Sequence, residues 1–174
     1  QRLAGAIVGA GDRRADLASY RAGTWEIYGS VVGNTQRRLG SGLDLPVPGD
    51  YDGDGRADAA VFGPMTGAWT ILQSASGAQR TVSWGAAGDI PVPADYDGDR
   101  VTDIAIWRPG TGAWWVISSR SGAVLSTTWG AAGDQPEPST ATARPIWGCI
   151  VAECWSGPRS IARKRTLTGR STRH

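Results

Sequence analysis

The sequence predicts an all-β fold of short antiparallel strands. Three observations lead there: a 45-residue internal repeat, 25 glycines and 9 tryptophans in 174 residues, and no stretch of sustained helical periodicity. Glycine supplies tight turns, and tryptophan lets short strands bury large apolar area.

The repeat fixes the elements. Residues 44–88, DLPVPGDYDGDGRADAAVFGPMTGAWTILQSASGAQRTVSWGAAG, are followed at once by residues 89–133, DIPVPADYDGDRVTDIAIWRPGTGAWWVISSRSGAVLSTTWGAAG. Asp44, Asp89 and Asp134 hold one place in the period; Trp69 and Trp114, and Trp84 and Trp129, hold two others. A worn copy comes earlier, with Asp16 opposite Asp58 and Trp25 opposite Trp69, and it lacks two residues in the turn before the tryptophan. A fourth copy begins at Gly133-Asp134-Gln135-Pro136.

Within one period, Gly, Pro, Asp and Ser punctuation bounds four strands: Pro46–Asp50, Ala57–Phe62, Ala68–Gln73 and Arg80–Trp84. Thr66-Gly67 and Thr111-Gly112 mark one tight turn, Ser76-Gly77 and Ser121-Gly122 the next. The alternation Trp69-Ile71 and Trp114-Val116 places large side chains on one face, suited to packing on the following unit. Four short antiparallel strands per period is the pattern of a propeller blade. The expected fold is a partial β-propeller of about three four-stranded antiparallel blades with an irregular C-terminal tail. Residues 1–43 form a degenerate first blade, 44–88 a blade with an intact acidic loop, 89–133 a second such blade, and 134–174 the start of a fourth repeat and the tail.

Between the first two strands of each good copy lies an acidic nonamer: Asp50, Asp52, Asp54 and Asp58, then Asp95, Asp97, Asp99 and Asp103. Carboxylates thus fall at positions 1, 3, 5 and 9. Four acids in nine residues repel one another unless a cation joins them, and Ca²⁺ takes six to eight oxygens from a flexible loop. Position 7 would add a backbone carbonyl, from Arg56 and from Val101. An EF-hand would need a bidentate Glu at position 12 and flanking helices, whereas Val61 and Ile106 stand there inside expected strands. Arg100 replaces Gly55 where a sharp loop calls for positive φ, so the second site is expected to be the weaker. Val8 and Ala10 replace Asp50 and Asp52 in the first copy, which is expected to bind nothing.

The run from Val47 to Phe62, VPGDYDGDGRADAAVF, and its copy from Val92 to Trp107 resemble the FG-GAP and VCBS repeats of secreted bacterial proteins and of integrin alpha subunits. The resemblance spans residues 11 to about 136. It implies calcium in the hairpin loop, a location outside the cell or at its surface, and a role in adhesion, ligand binding or support of a secreted enzyme.

After Pro138 the repeat vanishes. Residues 1–138 hold 11 Arg against 15 acids, while the last 36 residues hold 7 basic groups against Glu153 alone, together with Cys149 and Cys154. The basic run Arg163-Lys164-Arg165 has no recognition motif for nucleic acid, and two Cys without a second pair or a nearby His fall short of a zinc site. The expectation is an out-of-frame reading of a fourth blade. Were a GC-rich gene to carry TTC GAC GGC GAC GGC GCG CCC GAT CTG G, it would encode Phe-Asp-Gly-Asp-Gly-Ala-Pro-Asp-Leu, another acidic loop; one base later the same bases would give Ser-Thr-Ala-Thr-Ala-Arg-Pro-Ile-Trp, which stands at residues 139–147.

Catalysis finds no footing in the residues. The one histidine is His174, and no nucleophile elbow or phosphate-binding glycine loop occurs. There is no transmembrane run, and Leu3–Ala10 is too short for a signal peptide. Beginning at Gln1 is consistent with a mature product or a fragment. The expectation is a non-catalytic, extracellular, calcium-binding module for a protein or glycan ligand. The alternatives are a carbohydrate-binding propeller, with Trp107, Trp115 or Tyr51 stacking on sugars, and an accessory domain of a larger secreted hydrolase. Three blades and part of a fourth would leave open faces, and with them a tendency to self-associate.

Overall fold

The structure, a computed structural model, describes residues 17–29, 33–131, 134 and 136. Among these residues there is no helix, and eleven strands form three antiparallel sheets. The first sheet is β1 (Leu17–Arg21), β2 (Thr24–Gly29) and β3 (Gly33–Arg38). The second is β4 (Leu45–Pro46), β5 (Ala59–Gly63), β6 (Ala68–Leu72) and β7 (Gln79–Ser83). The third is β8 (Ile90–Pro91), β9 (Ile104–Arg108), β10 (Ala113–Ile117) and β11 (Val124–Thr128). Each is a meander in which sequence neighbours pair, so the all-β expectation holds and each sheet falls within one copy of the repeat.

The strand expected over 46–50 is shorter. Only Leu45–Pro46 pairs continuously with β5, followed by a single bridge between Gly49 and Asp58. Pro46 and Pro48 have no N–H to donate, so a continuous ladder cannot form there. The copy behaves alike: Ile90–Pro91, then a bridge between Ala94 and Asp103. The two-residue deletion of the first copy also has its counterpart. β1 and β2 join through Ala22 (φ 48°) and Gly23 (φ 83°), a two-residue hairpin turn with left-handed backbone, where the later sheets use the four-residue turns 64–67 and 109–112.

The sheets meet through apolar faces. Tyr20, Trp25 and Leu39 of the first pack with Ala59 and Val61 of the second. The opposite face of the second, with Phe62, Trp69 and Ile71, packs with Ile104, Ile106, Trp115 and Ile117 of the third. β5 and β9 therefore carry apolar residues on both faces, and four successive residues of each are buried. The alternation in β6 works as expected, with Trp69 and Ile71 fully buried between the sheets. Trp69 Nε1 donates to the Trp84 carbonyl at 2.8 Å, and Trp114 Nε1 to that of Trp129 at 2.9 Å.

Each copy opens on the same turn. Asp44, Asp89 and Asp134 accept, through Oδ2, the N–H of the residue three places earlier, at 2.7, 2.8 and 2.7 Å. The start of a fourth copy at Asp134 is thus visible in the backbone. The first-copy loop with Val8, Ala10, Asp12 and Asp16, the cysteines, His174 and the stretch 139–147 lie outside the described residues.

Candidate metal centre

Both acidic nonamers cap β-hairpins, between β4 and β5 and between β8 and β9. The hairpins close at their bridges, where Asp58 N donates to Gly49 O (2.7 Å) and Asp103 N to Ala94 O (2.8 Å). Position 9 is therefore the bridge residue just before the returning strand, and it is taken into the interior: Asp58 and Asp103 are fully buried.

Loop N–H groups aim the carboxylates. Asp50 Oδ1 and Oδ2 accept from Gly53 N (2.7 Å) and Gly55 N (2.8 Å), and Asp95 accepts in the same way from Gly98 N (2.6 Å) and Arg100 N (2.9 Å). Asp52 Oδ1 accepts from Asp54 N, and Asp54 Oδ1 from Arg56 N; Asp97 and Asp99 repeat this with Asp99 N and Val101 N. Asp58 Oδ2 accepts from Tyr51 N at 2.9 Å, and Asp103 Oδ2 from Tyr96 N at 2.7 Å. The tyrosines of these loops anchor them from below, since Tyr51 OH donates to Val47 O and Tyr96 OH to Val92 O, both at 2.7 Å. Burial raises both phenols, Tyr96 to about 12, with Asp58 and Asp103 adding to the effect.

A second loop braces each site, and sequence reasoning missed it. After β6, Ser74 N donates to Asp58 Oδ1 (2.7 Å) and Ser74 Oγ to Asp54 Oδ2 (3.0 Å); after β10, Ser119 does the same to Asp103 (2.7 Å) and Asp99 (3.0 Å). The signal was present in the repeat, because Ser74 and Ser119 are one period apart, but a serine at the start of a Ser- and Gly-containing turn reads first as turn chemistry. The braces differ at one point. Asp97 Oδ2 accepts from Ser118 Oγ (2.7 Å), whereas Gln73 stands at the matching place and Asp52 Oδ2 accepts instead from Ala75 N (3.2 Å).

Of the expected ligands, Asp50, Asp52 and Asp58 each bring a carboxylate oxygen within 4.8 Å of the others, as do Asp95, Asp97 and Asp99. Asp54 and Asp103 stand outside these triples. The triples could hold a metal ion. Every donor is a hard carboxylate oxygen, and an oxygen that accepts one N–H keeps a lone pair free, so the residues fit an oxygen-seeking cation. Arg56 Nε lies 4.0 Å from Asp54 and Arg120 Nε 3.8 Å from Asp99, contacts too long and exposed to neutralise either cluster. Burial raises the pKa of Asp58 and Asp103 despite the N–H bonds that pull the other way, with the neighbouring Asp52 and Asp97 adding to the rise. Such buried acids gain from a nearby cation.

The backbone of the second loop shows the expected strain. Arg100 has φ 73° where Gly55 has φ 83°. The aromatics considered for sugar stacking are placed otherwise: Tyr51 and Trp107 are buried, and Trp115 packs into the core between the second and third sheets. Buried rings offer no platform to a sugar, which corrects that expectation for Tyr51 and Trp107, while Trp115 is partly buried.

Comparison with protein-family models, with curated proteins and with solved structures finds no match.

Proposed function

We propose that the chain is a non-catalytic, calcium-binding module of stacked four-stranded blades, acting outside the cell or at its surface in adhesion or ligand binding. The observation that carries this reading is duplication. Two loops 45 residues apart gather three carboxylates each, aimed by the same N–H donors and braced by the same serine. Solvated turns need no such brace; positions 1 and 3 cluster in both loops, joined by position 9 (Asp58) in the first and by position 5 (Asp99) in the second.

In this reading Asp50, Asp52, Asp54 and Asp58, with the Arg56 carbonyl, hold one Ca²⁺. Asp95, Asp97, Asp99 and Asp103, with the Val101 carbonyl, hold the other. The ion supplies positive charge that removes repulsion within each loop and pins the β4–β5 and β8–β9 hairpins to the β6–β7 and β10–β11 turns. Flexible all-oxygen loops suit Ca²⁺ better than the smaller, octahedral Mg²⁺, and extracellular calcium near 1 mM fills sites with Kd of roughly 10⁻⁴ to 10⁻³ M. The likeness of the repeat to FG-GAP and VCBS sequences and the sheet-on-sheet packing both favour a propeller arrangement of the blades.

The test is a thermal melt with added Ca²⁺, Mg²⁺ or chelator. At calcium 100-fold above Kd each site adds about 2.7 kcal/mol, so Tm rises by several degrees with Ca²⁺ and falls with chelator. A melt indifferent to calcium and chelator rejects the reading.

A further inference from the structure

We infer that the two loops bind calcium cooperatively, coupled through the Val101–Thr102 peptide of the second loop. The inference rests on the calcium reading above and goes beyond it, since two loops of one pattern could equally fill independently.

The loops touch. Thr102 N donates to the carbonyl of Asp50 at 2.6 Å, so a main-chain bond joins position 8 of the second loop to position 1 of the first. The contact extends to either side. Gly49, next to Asp50, lies so close to Thr102 that an added Cβ would come within 2.8 Å of its Oγ1 and 2.9 Å of its Cγ2, and a Cβ on Gly53 would come within 3.1 Å of Val101 Cγ2. Glycine at 49 lets the two backbones approach.

The coupling follows from peptide planarity. The N–H of Thr102 and the C=O of Val101 belong to one rigid unit and point in opposite directions. With the N–H fixed on Asp50, the Val101 carbonyl points away from the first loop, and it is the carbonyl assigned to position 7 of the second. Any ordering of that carbonyl orders the Thr102 N–H, and with it the main chain of Asp50. Asp50 is also held by Gly53 and Gly55, so the first loop is organised around the residue that the second one grips. The flanks are equally short: Val101 and Asp103 adjoin Thr102, and Asp103 N is itself bonded to Ala94 O. A loop ordered at one site lowers the entropy lost in filling the other, and by linkage the effect is reciprocal.

The experiment is calorimetric titration of the full chain with Ca²⁺ alone. In Asp95→Asn/Asp97→Asn the second loop loses two carboxylates and the first keeps all of its own. Calcium affinity at the first site is expected to fall by about fivefold or more, and Asp50→Asn/Asp52→Asn should weaken the second site by the same factor. Gly49→Ala drives a methyl group into Thr102 and should uncouple the sites with every ligand in place; Gly49→Ala/Thr102→Gly, which removes the side chain in its way, should restore part of the coupling. Circular dichroism identifies any variant that does not fold; each Asn keeps one accepting oxygen and gives up the other, so the folded members among the two Asn pairs and Gly49→Ala decide together. Two bound calcium ions whose affinities are each unchanged, within twofold, by loss of the other site overturn the coupling and leave the calcium reading standing. A wild-type chain that takes up no calcium overturns the reading itself.

Discussion

Arg108 grips Asp89 with both arms of its guanidinium: Nε reaches Oδ1 and an Nη reaches Oδ2, each at 2.8 Å. The carboxylate is almost fully buried while the arginine is 40% exposed, so the pair closes the turn that opens the third sheet. The hydrogen bond from Arg108 holds the Asp89 pKa below its ordinary 3.8, against the effect of burial. A depressed folded-state pKa contributes stability that is complete above the ordinary value and is lost as pH falls through the folded value. Acid melts of the wild type should therefore steepen once pH falls below 3.8, between the ordinary value and the lower folded one. Arg108→Gln should flatten this part of the profile and cost about 1–2 kcal/mol at neutral pH, less than a fully buried pair because the arginine is solvated. An unchanged acid limb would show that the pair contributes nothing. In the second sheet Gly63 replaces Arg108, and Asp44 keeps the turn bond from Ser41.

The serine braces give a second prediction. Ser74→Ala removes the hydroxyl from Asp54, and Ser119→Ala removes it from Asp99, while the backbone N–H bonds to Asp58 and Asp103 stay. Each change should cost about 0.5–1.5 kcal/mol in a chemical melt and weaken calcium several-fold at its own loop. Calorimetry that finds either site at wild-type affinity would reduce the brace to a surface contact.

Much of this arrangement was legible because it is written twice. Comparing Asp50–Asp58 with Asp95–Asp103 separates the acids that recur from the residues that drift, and the glycine-to-arginine change at position 100 points to the strained φ. The strand expected over Ala57–Phe62 is present from Ala59, and its four successive buried residues serve two faces because a sheet packs on either side. What was hidden depends on register across the chain. Pro46 and Pro48 shorten the first strand by their missing N–H groups, and only the pairing with β5 shows it. Ser74 reaches Asp54 from 20 residues away, and Thr102 reaches Asp50 from the next copy. The serine recurs one period on, at Ser119, but its partner is not marked by that spacing, and the reach of Thr102 to Asp50 leaves no mark in the sequence at all. Tyr51 and Trp107 read as exposed aromatics because alternation does not say which face a neighbouring sheet will cover.

Two tryptophans one strand apart in role provide a third prediction. Trp107 takes the place of Phe62 in the repeat, and its buried Nε1 has no hydrogen-bond partner, whereas Trp69 Nε1 is bonded to the Trp84 carbonyl. Trp107→Phe removes an unsatisfied donor, which offsets the volume lost, and should change stability by under about 1 kcal/mol. Trp69→Phe forfeits both a bond and packing between the sheets and should cost about 2 kcal/mol or more. Equal losses in the two variants would mean that ring volume alone decides.

The last prediction concerns Arg100. Its φ of 73° places a Cβ where an L-residue pays roughly 1–2 kcal/mol, while Gly55 sits at φ 83° without that cost. The conformation is imposed by the loop, because the Arg100 N–H must reach Asp95 Oδ2 at 2.9 Å as Gly55 reaches Asp50. Arg100→Gly keeps that bond and removes the strain, though glycine gives back part of the gain through the freedom it adds to the unfolded chain. The net expectation is a stabilisation of about 0.5–1 kcal/mol. The second loop should also take calcium more tightly, since the strain no longer opposes the bound geometry. Gly55→Arg should shift the first loop the other way by a similar amount. Paired melts and titrations of the two variants check both signs, and an Arg100→Gly chain no more stable than the wild type would show that the loop relaxes around arginine at no cost.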